Sequence, residues 1–451
     1  MPSTKKPGHP NLKQSGPPVK KQSAKKQAAK KLAAGKHYEL STLPNGLRVI
    51  TENMPSVRSI AVGCWADTGT RDEMSSEAGA SHFLEHLLFK GSERYSARFI
   101  AESFDAIGAE SNAFTSKDNT CFWARLLDRD LPIGLDLLAE MLQRPAFRPN
   151  EIDSERQVVI EEINMNEDDP SDVAFEEFTQ AVFAGHPLET PILGTRQSIK
   201  DMTRSHLHGY WERQYGAGST VVAMAGSINH ADAVQRVGDL FGDWNGGPVA
   251  HELQPPSISA LVRTRHRETE QAHLIIGGLG LDRSDDRRFA FDTLNHILGG
   301  GMSSRLFLTI REERGLAYAV YSFRMAHADT GGWGVYVGTT PDQADTCLQL
   351  IVDEVDRVVT DGVTAAELDR AKGSMRGGLA LAMEDPNSRM IRLGRDEING
   401  APHLSIDERI ARVEAVTLED IQSVAAAVLT GTRVLGAVGP FKDGDLDKWV
   451  A

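Results

Sequence analysis

His82, Glu85 and His86 stand in the run Gly79-Ala-Ser-His-Phe-Leu-Glu-His-Leu-Leu-Phe-Lys-Gly91 and spell H-x-x-E-H. Two imidazoles one helical turn apart can hold one Zn²⁺ through neutral ring nitrogens, while the carboxylate between them takes a proton from a water that the metal activates. The chemistry this pattern points to is metal-assisted hydrolysis of an amide.

The residues from Ala80 to Lys90 include no Pro and few β-branched side chains, and Gly79 and Gly91 bracket them, so the spacing predicts a helix. At roughly 100° per residue, Glu85, His86 and Phe89 all fall within about 60° of His82. Leu84, Leu87 and Leu88 fall on the opposite side, an apolar stripe suited to burial against a sheet or another helix. An isolated H-x-x-E-H is equally compatible with histidines that cap a core or face solvent, so the rest of the chain has to decide.

A catalytic zinc site needs three protein ligands and one open position. The third candidate lies in the carboxylate-rich helical segment Asp153-Ser-Glu-Arg-Gln-Val-Val-Ile-Glu-Glu-Ile-Asn-Met165. Glu155 and Glu162 are seven positions apart and drift only about 20° over two turns, whereas Glu161 points about 100° away. Glu162 is therefore the expected ligand, with Glu155 behind it on the same face. Without the histidine motif, the same glutamates would read as a solvated acidic face.

His82-Phe-Leu-Glu-His86, Glu155-Arg156 and Glu162 together resemble the pitrilysin/insulinase metallopeptidases, the inverzincins. The resemblance runs from about residue 38 onward. It is closest to single-chain bacterial processing-protease-like members and to the beta subunit of the mitochondrial processing peptidase. It implies His82, His86 and Glu162 as zinc ligands, Glu85 as general base, and Glu155 as a residue needed for activity that supports a ligand without being one.

The two halves of the chain look like copies. Ile199-Lys-Asp-Met-Thr203 and Val221-Val-Ala-Met-Ala-Gly226 are echoed by Val413-Glu-Ala-Val-Thr417 and Val434-Leu-Gly-Ala-Val-Gly439, at an offset of 213 to 214. In that register Glu155 falls on Asp369 and Glu162 on Arg376, and at a slightly shorter offset His86 falls on His296. The second half thus reads as a duplicate without the metal site. Strands are expected at Ser59 to Trp65, Cys121 to Leu127, Thr220 to Met224, Ala272 to Gly277, Gly332 to Val337 and Val434 to Val438. Amphipathic helices are expected at Leu131 to Leu142 and Ala344 to Val359. The expected fold class is α+β, two tandem homologous domains, each a mixed or antiparallel sheet covered by helices. The expected boundaries are a disordered tail over 1–36, a catalytic domain over 37–245, a turn-rich linker over 246–258 and a duplicated domain over 259–451.

The resemblance extends to the duplicate. Arg311 and Tyr318 match a family pair that contacts the substrate carbonyl across the active-site chamber, which implies an oxyanion donor in Tyr318 and an orienting role for Arg311. Chains of this length match one half of the full-length members, so the resemblance implies a homodimer in which Arg311 and Tyr318 act on the partner's zinc site. Gly108-Ala-Glu-Ser-Asn-Ala-Phe-Thr115 resembles the strand whose edge receives the substrate backbone. Asn112, Ala113 and Phe114 are then expected to bind substrate, with Phe89 as a further substrate contact. Asp172 and Glu176 resemble positions that hold a substrate arginine in the mitochondrial enzyme, and a solvated acidic face accounts for them as well.

Residues 1–36 hold ten lysines and no acid, while the whole chain carries a formal charge of -14. An acidic body suits basic or extended peptides better than nucleic acid, which leaves only a weak tether through the lysine tail. No stretch is long and apolar enough for a membrane span or a secretory signal. Three widely separated cysteines fit a reducing compartment. Bacterial cytoplasm is the expected location. A mitochondrial matrix is the alternative, since the tail is basic and acid-free but lacks Arg. The competing functional classes are a non-catalytic structural subunit resembling the core proteins of cytochrome bc1 and a mitochondrial presequence-processing subunit. The expected substrate is a peptide or unfolded protein.

Overall fold

Strands rich in Val, Ile, Ala and Gly assemble two sheets. The computed structural model describes residues 37–247 and 253–450, so the lysine tail and the centre of the expected linker lie outside the described residues. In the first half, β1 (Glu39–Thr42), β2 (Arg48–Asn53), β3 (Ser59–Ala66), β4 (Glu110–Thr115), β5 (Thr120–Leu127) and β6 (Thr220–Gly226) form one sheet in the order β1-β2-β6-β3-β5-β4. In the second half, β7 (Leu261–His266), β8 (Ala272–Gly280), β9 (Ala317–Ala326), β10 (Gly331–Thr339) and β11 (Val434–Gly439) form the other, in the order β7-β11-β8-β10-β9. All six expected strands form, each at or slightly beyond its expected limits, as do both expected helices.

The duplication is one of topology as well as of sequence. Each sheet joins a parallel pair, β2 with β6 or β7 with β11, to a run of antiparallel neighbours. Arg48 stands opposite Val221 just as Leu261 stands opposite Val434, so both partners shift by 213 positions. Both strands that end the antiparallel runs, β4 and β9, are sheet edges.

Each sheet is buried on both faces, and the two faces are covered differently. Ile60, Val62, Cys64 and Ala66 alternate along β3 into the core beneath the first half's own helices, while Ala61 and Trp65 point the other way. That other face is covered by Pro386–Ile398, a helix of the second half, through Met390, Leu393 and Ile398. Reciprocally, Pro170–Val182 of the first half packs Val173, Ala174 and Phe178 against Ile275, Val434 and Val438 of the second sheet. A Cβ on Gly394 would lie 2.0 Å from the Trp65 indole nitrogen, so only glycine lets the exchanged helix seat on that ring.

Charge accompanies the exchange in inverted form. Buried Glu52 on β2 accepts hydrogen bonds from Arg389 and Arg392 of the helix that covers it. Its counterpart in register is Arg265 on β7, which with Arg263 donates to Glu177 of the other exchanged helix at 2.8 and 2.9 Å. Were each helix to dock on the sheet of its own half, Glu177 would meet Glu52 and the arginines would meet arginines. Like charges brought together out of water are strongly unfavourable, so the sequence selects the crossed arrangement.

Candidate metal centre

The expected helix spans Ala80–Leu88 and buries Phe83, Leu84, Leu87 and Leu88. It ends two residues short of the expected Lys90, with Phe89 as the C-terminal cap, its ring centroid 6.2 Å from that of Phe122. Its start is held from outside the motif. Gly79 sits at φ +91°, and the Glu73 carboxylate accepts the N–H groups of Gly79 and Ser81 at 2.8 and 2.7 Å. These are two of the donors that a helix start leaves without intrahelical partners. Burial pushes the Glu73 carboxyl up to about 7, against the pull of those N–H groups. Replacing Glu73 by Ala is expected to cost about 2–4 kcal/mol, because both N–H groups then lack their acceptor. Thermal denaturation would register the loss, and an unchanged midpoint would remove Glu73 from the support of this helix.

Glu162 comes from the helix Pro149–Asp168, which buries Ile152, Val159, Ile160 and Ile163 on one face. His82 Nε2 and His86 Nε2 are 3.2 Å apart, and Glu162 Oε2 lies 3.5 Å from the first and 3.4 Å from the second. Bonds of roughly 2.0–2.2 Å at tetrahedral angles place neighbouring ligand atoms about 3.3–3.6 Å apart, so this triangle of two nitrogens and one oxygen fits one face of a zinc coordination shell. Among the described residues it is the one group of three or more such side chains that converges in this way. Glu161, the neighbour that helix phase turns aside, is exposed.

The charges around the triangle follow from burial and pairing. Burial, reinforced by His86, lowers His82 to about 4 and keeps it neutral. Burial opposes the charged form of His86 as well, but the carboxylates of Glu155 and Glu162 lift it to about 9. Glu155 is 4 % exposed and accepts from His86 Nδ1 at 2.9 Å and from Lys90 at 2.7 Å, which turns His86 Nε2 towards the triangle. Burial raises the Glu85 carboxyl, opposed by the Thr115 hydroxyl, which donates to Glu85 Oε2 at 2.5 Å.

The remaining expected residues divide into separate groups. Asn112, Ala113 and Phe114 lie on edge strand β4, which carries Thr115 at its end. Asn112 Oδ1 accepts the N–H of Ala113 at 2.8 Å, and Ala113 packs against the core that contains the motif helix. Phe114 faces the other way, edge-on to Trp65 at 5.4 Å in the layer under the exchanged helix. Arg311 and Tyr318 pair with each other in the second half: the guanidinium lies 4.5 Å from the tyrosine ring centroid and donates to its carbonyl at 2.9 Å. The Tyr318 side chain stands on edge strand β9 with 80 % exposure. Asp172 and Glu176 line a cleft of about 530 Å³ with Glu167, Lys117, Arg196 and Arg265. In the duplicate, Arg376, at the position that corresponds to Glu162, pairs with Glu414 at 2.7 Å.

Sequence reasoning missed Glu73 and Thr115. Both act from segments outside the motif helix, and neither has a spacing that would signal its partner.

Residues 48–196 match the insulinase family (peptidase family M16), and residues 201–375 match the peptidase M16 inactive domain. An uncharacterized zinc protease of Streptomyces coelicolor is 42% identical over 412 residues, covering 89% of this chain and 90% of the relative. An uncharacterized zinc protease of Bacillus subtilis is 40% identical over 399 residues, covering 88% of this chain and 97% of the relative. Among solved structures, a peptidase M16 inactive domain from Pseudomonas fluorescens has a TM-score of 0.85 at 22% identity and covers 90% of this chain and 99% of its own. A protease from Helicobacter pylori has a TM-score of 0.84 at 21% identity, with 89% and 99% covered. At these identities the two structures bear on the fold.

Proposed function

The chain belongs to peptidase family M16, the insulinase family, and on that premise we propose that it is a zinc metalloendopeptidase acting on peptides and unfolded protein segments. The observation that carries this reading is the triangle of His82, His86 and Glu162 with the Glu85 carboxylate on the same helix. The relatives named as zinc proteases support zinc as the metal. When bound, Zn²⁺ would polarise the scissile carbonyl and make water acidic enough to attack near neutral pH.

The protein's own groups supply the rest. Glu155 orients His86 through its Nδ1. Burial favours neutral His82, whereas His86, which the neighbouring carboxylates hold charged, would have to give up a proton to ligate the metal. Glu85 takes the proton of the attacking water and returns it to the leaving amine. A peptide strand adds to the open edge of β4, exchanging the Asn112 contact at the Ala113 N–H for a backbone carbonyl, with Phe89 and Phe114 in supporting contacts. Tyr318, oriented by Arg311, donates to the developing oxyanion. Its exposure on an edge strand suits action on a partner subunit, in a homodimer. A bacterial cytoplasm is the proposed compartment, on the origin of the relatives and the three buried thiols.

Mixing two defective variants tests the shared site. Glu85→Gln and Tyr318→Phe each disable one component, and in mixed dimers one composite site regains both. Subunit exchange is expected to restore up to about a quarter of wild-type peptide hydrolysis. If the mixture stays at the mean of the two separate variants while co-purification of differently tagged variants shows mixed dimers, the trans arrangement is wrong.

A further inference from the structure

A carboxylate that serves as base must offer one oxygen to water, and the terminal torsion of a glutamate is soft, so something has to hold the other oxygen. In Glu85 that oxygen is Oε2, and its partner is the Thr115 hydroxyl at 2.5 Å. Thr115 is the last residue of β4, the open-edged strand, and stands opposite Thr120 of β5. Threonine is branched at Cβ and therefore stiff, so its hydroxyl direction follows the backbone closely.

That backbone is anchored on several sides. The Ser116 carbonyl accepts from the Thr70 N–H at 3.2 Å, and the Lys117 carbonyl from the Arg71 N–H at 3.0 Å. Asp118 takes Arg71 at 2.7 Å from the first half, and Arg283 at 2.6 Å and His327 at 2.9 Å from the second. The hairpin that presents the hydroxyl is thus tied to both halves of the chain.

We propose that Thr115 is a positioning residue for Glu85, so that the strand whose edge receives the substrate also aims the base at the water beside it. This inference rests on the reading of Glu85 as general base. One backbone segment then sets the register of the peptide and the direction of proton transfer together.

The test compares Thr115→Val, which keeps the shape and removes the donor, with Thr115→Ser, which keeps the donor and removes the methyl group. Hydrolysis of a quenched fluorogenic peptide that the wild type cleaves is measured for both, alongside zinc content and thermal midpoint. Thr115→Val is expected to lose about ten- to a hundredfold in kcat with KM, zinc and midpoint little changed, since a hydrogen bond to a charged group is at stake. Thr115→Ser is expected to stay within about threefold of wild type. The proposal is overturned if Thr115→Ser falls as far as Thr115→Val, or if the loss lies in KM alone. It is equally overturned if Thr115→Val matches wild type while Glu85→Gln in the same assay is inactive. Wild-type activity in Glu85→Gln would instead overturn the reading of Glu85 itself.

Discussion

Glu85→Gln is expected to retain about one zinc per chain and to lose roughly a hundred- to ten-thousandfold in kcat. The amide has nearly the volume of the carboxylate, and its carbonyl oxygen can still accept from Thr115. His82, His86 and Glu162, which form the triangle, are untouched by the change. What disappears is the basic oxygen, and with it the route by which a proton leaves the attacking water and reaches the amine. Burial already raises the Glu85 carboxyl above its ordinary range, which brings its basicity closer to the working pH. Hydrolysis of a quenched peptide and elemental analysis of the same preparation check the two halves of the prediction. Full activity with zinc in place would show that another group accepts the proton.

His86→Ala is expected to empty the centre: zinc falls from about one per chain towards zero and activity falls to background. Two donors, His82 and Glu162, remain, and a catalytic zinc site is ordinarily held by three. The change also removes the partner that Glu155 holds at 2.9 Å, leaving that buried carboxylate with Lys90. Some loss of stability should therefore accompany the loss of metal, and the zinc measurement has to be made on protein with a folded circular dichroism spectrum. His296→Ala provides the matching control, because His296 occupies the duplicated position in a half where Arg376 stands at the counterpart of Glu162. That variant is expected to keep its zinc. Stoichiometric zinc in His86→Ala would place the metal elsewhere.

The sequence alone was enough to group His82 with His86 and to turn Glu162 rather than Glu161 in the same direction as Glu155. These relations are set within single helices, where 3.6 residues per turn converts spacing directly into direction. The duplicated topology was legible for a similar reason. Strands are short segments of their own pattern, and a constant offset keeps that pattern aligned in both halves.

Contacts between distant segments were not legible. The crossing of Pro170–Val182 and Pro386–Ile398 onto each other's sheets depends on the fit of Gly394 to Trp65 and on Glu52 meeting Arg389 and Arg392, residues more than three hundred positions away. Phe114 was readable as part of a strand, but which face of β4 looks towards the motif helix follows from the pairing of β4 with β5 and the layers on either side. Glu73 and Thr115 reach the motif from a loop and a strand end, with no periodicity linking them to it. Helical spacing alone groups His82 with His86 and sets the phase of Glu162, the side chains proposed to hold the metal. Only the tertiary structure decided what caps their helix, what holds the Glu85 carboxylate, and which half covers which sheet. Helical phase is a local property of the chain, whereas burial and pairing exist only once remote segments have come together.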